Sequence, residues 1–249
     1  MIDAVAMPTP TTAVPKVGKT VAVALLLGLS IQLIGTLSWV ALARLNVRLQ
    51  PESPWAAATM VCGLGIALVW LSGRGWPRST SAFRRHHLRL WRPEPGAWSG
   101  ESLATIVGLS CAMVGLYVMY VLMGASRPPT DVSAYPITLR WSLLLMYPTV
   151  AGVVEEAAFR GYMQSHLERV GPAFSILVTS AAFTLLHGTQ GLTYFLTFAP
   201  GIFIASVIYG HLAQKSGSIL PGMALHIGGD AAYAYFALLG GNSALLFAN

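Results

Sequence analysis

The sequence has few charged residues, and this shortage excludes most soluble architectures. Charged side chains make up 10% of its 249 residues, hydrophobic side chains make up 55%, and the mean hydropathy is +0.62. A soluble globular domain carries about 25% charged residues. A disordered chain would be more polar still. We therefore expect a membrane protein.

Cysteine is also scarce, because the chain has only Cys62 and Cys111, both inside apolar stretches. These two are best interpreted as small core side chains and do not make a disulfide scaffold. The formal net charge is +6, but most of the basic residues flank apolar runs, where they orient a membrane protein. We expect a lipid bilayer as partner and no nucleic acid.

Apolar runs of about 20 residues, the length needed to cross a bilayer, recur along the chain. Five runs qualify or nearly qualify, at 21–43, 55–72, 103–123, 192–212 and 219–239, and two shorter runs at 141–154 and 172–186 flank a polar patch. Helices satisfy their own backbone polar groups in lipid. The predicted fold class is all-α, a polytopic membrane helix bundle of about seven transmembrane helices.

Composition also divides the chain. Residues 1–16, rich in proline and threonine, are expected to be a disordered tail, and residues 17–136 to form three transmembrane helices with a basic cytoplasmic loop at 73–93. Residues 137–249 form the predicted core, because ionisable residues enter the apolar segments only there.

The positive-inside rule places the N-terminus in the cytoplasm, since most Lys and Arg then lie on that side. The first apolar run is too long for a signal-peptide core and is expected to be retained. The arginine-rich loop at 73–93 is expected to contact anionic head groups. We predict an integral multi-pass protein of the cell (inner) membrane.

Six ionisable residues stand out in the second half because the apolar runs around them carry almost no other charge. They are Glu155, Glu156, Arg160, His187, His226 and Asp230. A charged side chain at a helix centre costs about 2.5–3.5 kcal/mol when it faces lipid. We therefore expect these side chains to face each other or water.

Their spacing predicts that they meet at one depth. Glu155 lies 16 residues before the expected turn at Gly171, and His187 lies 16 residues after it. With a rise of about 1.5 Å per residue, both come out roughly 20–24 Å from that turn. His226 and Asp230 lie about 14 and 20 Å beyond the next turn on the same side. Side chains from three helices are therefore expected around one wet pocket.

Neighbours within a helix divide the roles further. Glu156 and Arg160 are four residues apart and share a face, so Arg160 is expected to neutralise Glu156 and leave Glu155 for the cavity. Two histidines and a carboxylate could form a catalytic zinc set, and Glu155 beside an imidazole could equally be a general base without metal. A structural ion pair or an ordinary interhelical hydrogen bond is the alternative for each pair.

At these positions the chain resembles the CPBP family of intramembrane proteases (CAAX protease and bacteriocin-processing, also called Abi). The motifs are Glu155-Glu156-x-x-x-Arg160, Phe183-x-x-x-His187 and His226-x-x-x-Asp230. The order of the three motifs carries the resemblance, which covers about a third of the chain. It implies an endopeptidase that cleaves near the end of a membrane-associated protein or peptide, with residues 137–249 as the catalytic core.

The resemblance also implies roles for individual residues. Glu155 and His187 would activate water, while His226 and residue 230 would stabilise the oxyanion. The family has either Asn or Asp at this position, and here residue 230 is Asp. An ionised carboxylate cannot donate a hydrogen bond to an oxyanion, but it binds a metal ion better than an amide does. Asp230 therefore favours zinc bound by His187, His226 and Asp230, with Glu155 as the base.

Two other functions compete with the protease. Proteins similar to this family are implicated in bacteriocin immunity, where binding a partner without catalysis would suffice, and a transporter could use the acids as a proton relay. The motifs of other intramembrane proteases fit less well, since no His-Glu-x-x-His is present. The substrate and the oligomeric state are left open.

Overall fold

The computed structural model describes residues 16–50, 52–90, 107 and 135–239, and every regular element in these ranges is helical. The elements are α1 (Val17–Leu49), α2 (Trp55–Leu71), α3 (Ser81–Leu88), α4 (Ile137–Glu155), a π-helical segment (Glu156–Gln164), α5 (Ser165–Leu167), α6 (Pro172–Leu186), α7 (Leu192–Ser216) and α8 (Leu220–Leu239). The all-α prediction is confirmed. The tail at 1–15 and the predicted helix at 103–123 lie outside the described residues, apart from the helical Val107.

Four stretches in the described residues are long and apolar enough to cross a membrane: Val17–Leu49, Leu139–Leu167, Pro172–Thr189 and Phe195–Ser216. The apolar helix α2 is shorter. The predicted span at 219–239 does form helix α8 but is not among the four. Its polar residues His226 and Asp230, together with several glycines, lower its hydropathy.

The turns of the helical core lie where the sequence predicts them. α6 begins at Pro172. The fixed φ of proline fits the first position of a helix, and a backbone N–H there would have no partner within the helix. α7 ends at Ser216, and the next residue, Gly217, has φ 64° in the left-handed region, a conformation that glycine adopts without strain. These two turns set the depths of the polar side chains that follow.

The apolar run at 141–154 lies within helix α4, and the polar patch that follows it is also helical, as the expected turn at Gly171 requires. The helix continues through Glu155, changes to the π-helical segment and runs on to Leu167 without a break. All nine residues of the π-helical segment are buried. Charged residues do not end this helix, because protein partners rather than lipid surround them.

The π-helical segment lies at the centre of the bundle. Phe159 and Met163 pack with Ala24 of α1 and Phe183 of α6 in one buried apolar cluster. A second buried cluster joins the other face of the segment to α3, α4 and α8, and contains Leu88, Val153, Ala157, Tyr162, Ile219 and Met223. This placement holds Glu155 and Glu156 between α1 and α8.

Two arginines of the basic loop bind groups of the protein itself and are not available to lipid head groups. The Arg84 guanidinium is buried and donates hydrogen bonds to the carbonyls of Trp70, Arg74 and Pro77. Arg89 pairs with Glu168 beyond α5. The prediction of head-group contact therefore narrows to the arginines of this loop that are exposed, among them Arg74, Arg78 and Arg85.

Candidate active site

Glu155 and Glu156 stand at the junction between α4 and the π-helical segment, and the structure gives them different surroundings. Glu156 is fully buried, and its Oε1 lies 3.0 Å from Nη1 of Arg160. Arg160 is equally buried and also donates from Nη2 to the Ser206 hydroxyl at 2.8 Å. The predicted pairing of Glu156 with Arg160 is confirmed, and it leaves Glu155 as the more accessible carboxyl group.

Aromatic rings enclose the Arg160 guanidinium. Its central carbon lies 4.6 Å from the centre of the Phe183 ring and 5.2 Å from that of Tyr209. A cation over an aromatic face is attracted by the negative charge on that face. The first and second motifs thus contact each other directly, through Arg160 and Phe183.

His226 bridges the two glutamates. Its Nδ1 donates to Glu156 Oε1 at 2.9 Å, and its Nε2 lies 3.5 Å from Glu155 Oε2. The same Nε2 lies 3.7 Å from Asp230 Oδ2, one helical turn away. The imidazole stacks on the Tyr209 ring with centroids 4.9 Å apart. The imidazole therefore has a fixed orientation, with one nitrogen toward each glutamate.

His187 is the first residue of the 3₁₀ turn that follows α6. Its Nδ1 lies 2.9 Å from the carbonyl oxygen of Phe183, one turn earlier. A carbonyl only accepts hydrogen bonds, so Nδ1 carries the hydrogen and Nε2 of the neutral ring is left with its lone pair. The Phe-x-x-x-His spacing thus sets the tautomer, which leaves an acceptor available for water.

A cavity of 470 Å³ opens between α1, α4 and the end of α6. Glu155 and His187 both line it, and most of the rest of the wall is apolar, with Leu33, Trp39 and Val150 among the lining residues. His226 and Asp230 are not among the residues that line it. The arrangement brings a carboxylate and an imidazole acceptor to one pocket at membrane depth.

Among the polar lining residues that the sequence reasoning missed, Gln32 of α1 contacts Glu155 directly. Its Nε2 donates to Glu155 Oε1 at 3.3 Å. The available signal was an amide in the middle of an otherwise apolar run. It was passed over because only ionisable groups were treated as expensive in lipid.

The geometry does not assemble the zinc set expected from His187, His226 and Asp230. In the ranges that the structure describes, no three His, Cys, Asp or Glu side chains form a group that could hold a metal ion. His226 directs Nδ1 to Glu156, and its Nε2 lies 3.7 Å from Asp230 and 3.5 Å from Glu155. The zinc site stays a prediction.

Comparison with known proteins adds one match. Residues 136–232 match the family model described as type II CAAX prenyl endopeptidase Rce1-like. This region contains all six ionisable residues singled out above, and it leaves out α1. Searches of curated proteins and of solved structures find no match.

Proposed function

Residues 136–232 match the Rce1-like type II CAAX prenyl endopeptidase model, and from this match we propose a specific reaction for the chain. The match and the helical fold together support an intramembrane protease. The proposed reaction is hydrolysis of a peptide bond near the terminus of a membrane-associated protein or peptide. Water activated by Glu155 with His187 is the nucleophile.

One observation supports this assignment above the others. Glu155 and His187 line the same cavity, while the neighbouring Glu156 is neutralised by Arg160 and held by His226. A general base must be able to reach water and substrate. Of the two adjacent glutamates, Glu155 alone lines this cavity.

In the proposed mechanism, the Glu155 carboxylate removes a proton from a water molecule held by Nε2 of His187. The water oxygen attacks the carbonyl carbon of the scissile bond and forms a tetrahedral oxyanion. As this intermediate collapses, the carbon–nitrogen bond breaks and the protonated Glu155 gives its proton to the leaving amine. The atoms balance with one water consumed per bond, and the glutamate is regenerated.

The roles of His226 and Asp230 differ from those that the resemblance implies. His226 lies between the two glutamates at 2.9 and 3.5 Å, a position that supports orienting Glu155 rather than contacting an oxyanion. An ionised Asp230 has no hydrogen to donate. We assign His226 as a positioning group and Asp230 as its electrostatic partner.

The apolar wall of the cavity supports a lipid-like or apolar substrate segment. The family name specifies prenylated CAAX substrates, and we extend this class to the chain as part of the proposal. Matched peptides with and without a C-terminal prenylcysteine test it. Faster cleavage of the prenylated peptide supports the extension, and equal cleavage contradicts it.

Replacing Glu155 tests the catalytic assignment. In purified full-length protein in nanodiscs, Glu155→Gln is expected to lower cleavage of a quenched fluorescent peptide by about 10²–10⁴-fold, the usual contribution of a general base. Glu52→Gln, the same change at an exposed carboxylate between α1 and α2, is the control and should leave the rate unchanged. A fully active Glu155→Gln protein would contradict Glu155 as the base, whereas a wild-type protein that cleaves no peptide would favour a partner-binding role.

Treatment with a zinc chelator distinguishes metal-free hydrolysis from zinc-dependent hydrolysis. Proteolysis without metal predicts that the rate survives treatment with a strong zinc chelator. Loss of the rate on chelation, with recovery on adding Zn²⁺, would instead establish the zinc site and overturn the metal-free mechanism.

A further inference from the structure

Helix α1 presents a narrow inward face that differs from the rest of the helix. Its buried positions include Thr20, Ala24, Gly28 and Gln32, spaced four residues apart. Residues at this spacing share one side of a helix. Three of the four have small side chains, so Gln32 is the only long polar side chain on this stripe.

The small residues bring the backbone of α1 into close contact with the core. A Cβ atom at Gly28 would lie 2.7 Å from Met163 Cε and 2.9 Å from the Ala158 carbonyl oxygen. A Cβ atom at Gly35 would lie 2.5 Å from Val154 Cγ1. These glycines flank Gln32 by about one turn on each side. Close approach of this kind is typical of small residues between membrane helices, and here it carries Gln32 to Glu155.

Gln32 holds the carboxyl group of Glu155 from the side opposite His226. Its Nε2 donates to Glu155 Oε1 at 3.3 Å and to the Thr36 hydroxyl at 3.2 Å. The other carboxyl oxygen of Glu155 faces His226 Nε2 at 3.5 Å. A carboxylate oxygen only accepts hydrogen bonds, so the amide nitrogen rather than the amide oxygen must face it. Each Glu155 oxygen therefore has a partner on a different helix, α1 or α8.

We propose that Gln32 is a positioning residue of the active site, whose amide holds the Glu155 carboxylate in the orientation from which it takes a proton from water. Catalytic groups work only when neighbouring groups hold them within about 0.5 Å of the productive geometry. The proposal rests on the proposed function. Gln32 lies outside residues 136–232, so the region matched by the family model does not hold the complete site.

The test measures kcat and KM separately for full-length variants in nanodiscs, with the peptide used above. Gln32→Met keeps the length of the side chain but removes the donor, and it is expected to lower kcat about 10- to 100-fold, as loss of an orienting partner does. KM should stay unchanged, because Gln32 acts through Glu155. Gln32→Glu keeps size and shape but replaces the donor with an acceptor, so kcat should fall at least as far.

Two variants separate this role from a structural one. Gln164→Met makes the same substitution at another buried glutamine, which donates to the Gly210 carbonyl at 2.8 Å, and should lower the unfolding temperature but not kcat. Thr59→Val removes an exposed hydroxyl of α2 that does not line the cavity and should leave kcat near the wild-type value. If Gln32→Met does not fold, Gln32→Glu decides the test.

The outcomes are distinguishable. A folded Gln32 variant with unchanged kcat overturns the proposal, as does a rise in KM alone, which would indicate substrate binding. An equal fall of kcat in Gln164→Met would also overturn it, since the effect would then be general loss of a buried amide. If Glu155→Gln is itself fully active, the protease mechanism has failed before Gln32 is tested.

Discussion

Helix α1 and the π-helical segment pack against each other, yet they distribute polarity in opposite ways. α1 turns large apolar side chains outward, with Leu26 68% and Ile34 67% exposed, and buries small residues and Gln32. The π-helical segment buries everything, including the charged Glu156 and Arg160 at 0% exposure. An edge helix meets lipid, whereas the central segment meets only protein.

The difference shows where a membrane protein can keep charge. In lipid a charge has no partner, so α1 carries none between Lys19 and Arg44. At the centre, Arg160 and His226 are the partners of Glu156, and Ser206 is a further partner of Arg160. α1 nevertheless directs one uncharged amide, that of Gln32, toward the core. An amide costs less to bury than a charge, and it can still orient a charged group.

Breaking the central ion pair should produce the largest change in stability. Arg160→Met removes the cation and leaves the Glu156 carboxylate buried beside His226, so the free energy of unfolding should fall by about 3–5 kcal/mol. Chemical unfolding in detergent micelles measures it. Arg85→Met, at an exposed arginine on α3, is the control, and an equal loss there would show that the central pair is not special.

Moving α1 away from the core should have a smaller effect on stability and a clear effect on activity. Gly35→Leu forces a side chain against Val154 and should cost about 1–3 kcal/mol, the usual penalty of overpacking. It should also lower kcat, because Gln32 is carried away from Glu155. Gly63→Leu in α2 is the matched control, since a Cβ there has nothing within 4 Å. Unchanged kcat in a folded Gly35→Leu protein would argue against close packing of α1.

The smallest expected effect is on how stability depends on pH, and it comes from His87, which lies outside the membrane spans. Burial, together with neighbouring positive groups, lowers the pKa of His87 in α3 from 6.5 to about 3. Its Nδ1 lies 2.6 Å from the Ser165 hydroxyl. Between pH 6.5 and 3 the unfolded chain binds a proton that the folded chain does not, so stability should fall as the pH falls through this window.

His87→Gln is expected to flatten that part of the stability profile, as followed by thermal unfolding at pH 7 and pH 5. His86→Gln, at the exposed neighbouring position, should leave most of the slope in place. A wild-type protein equally stable at both pH values would contradict a buried, neutral His87.

Much of the helical core follows from local patterns. The turns at Gly171–Pro172 and Gly217 and the pairing of Glu156 with Arg160 were all predicted, because turn residues and four-residue spacing act within one helix or hairpin. The π-helical form of residues 156–164 was not predicted, because it depends on packing against neighbouring helices, which shield Glu156 completely.

By itself, then, the sequence determined a helical membrane bundle and the residues that are too polar to face lipid, since hydropathy and helical periodicity are properties of each segment alone. Only the tertiary structure decided that His226 lies between the two glutamates, that Arg84 turns inward, and that Gln32 reaches Glu155. These depend on how far each helix is rotated about its axis and how closely the helices approach. Packing between segments distant in the chain sets both quantities.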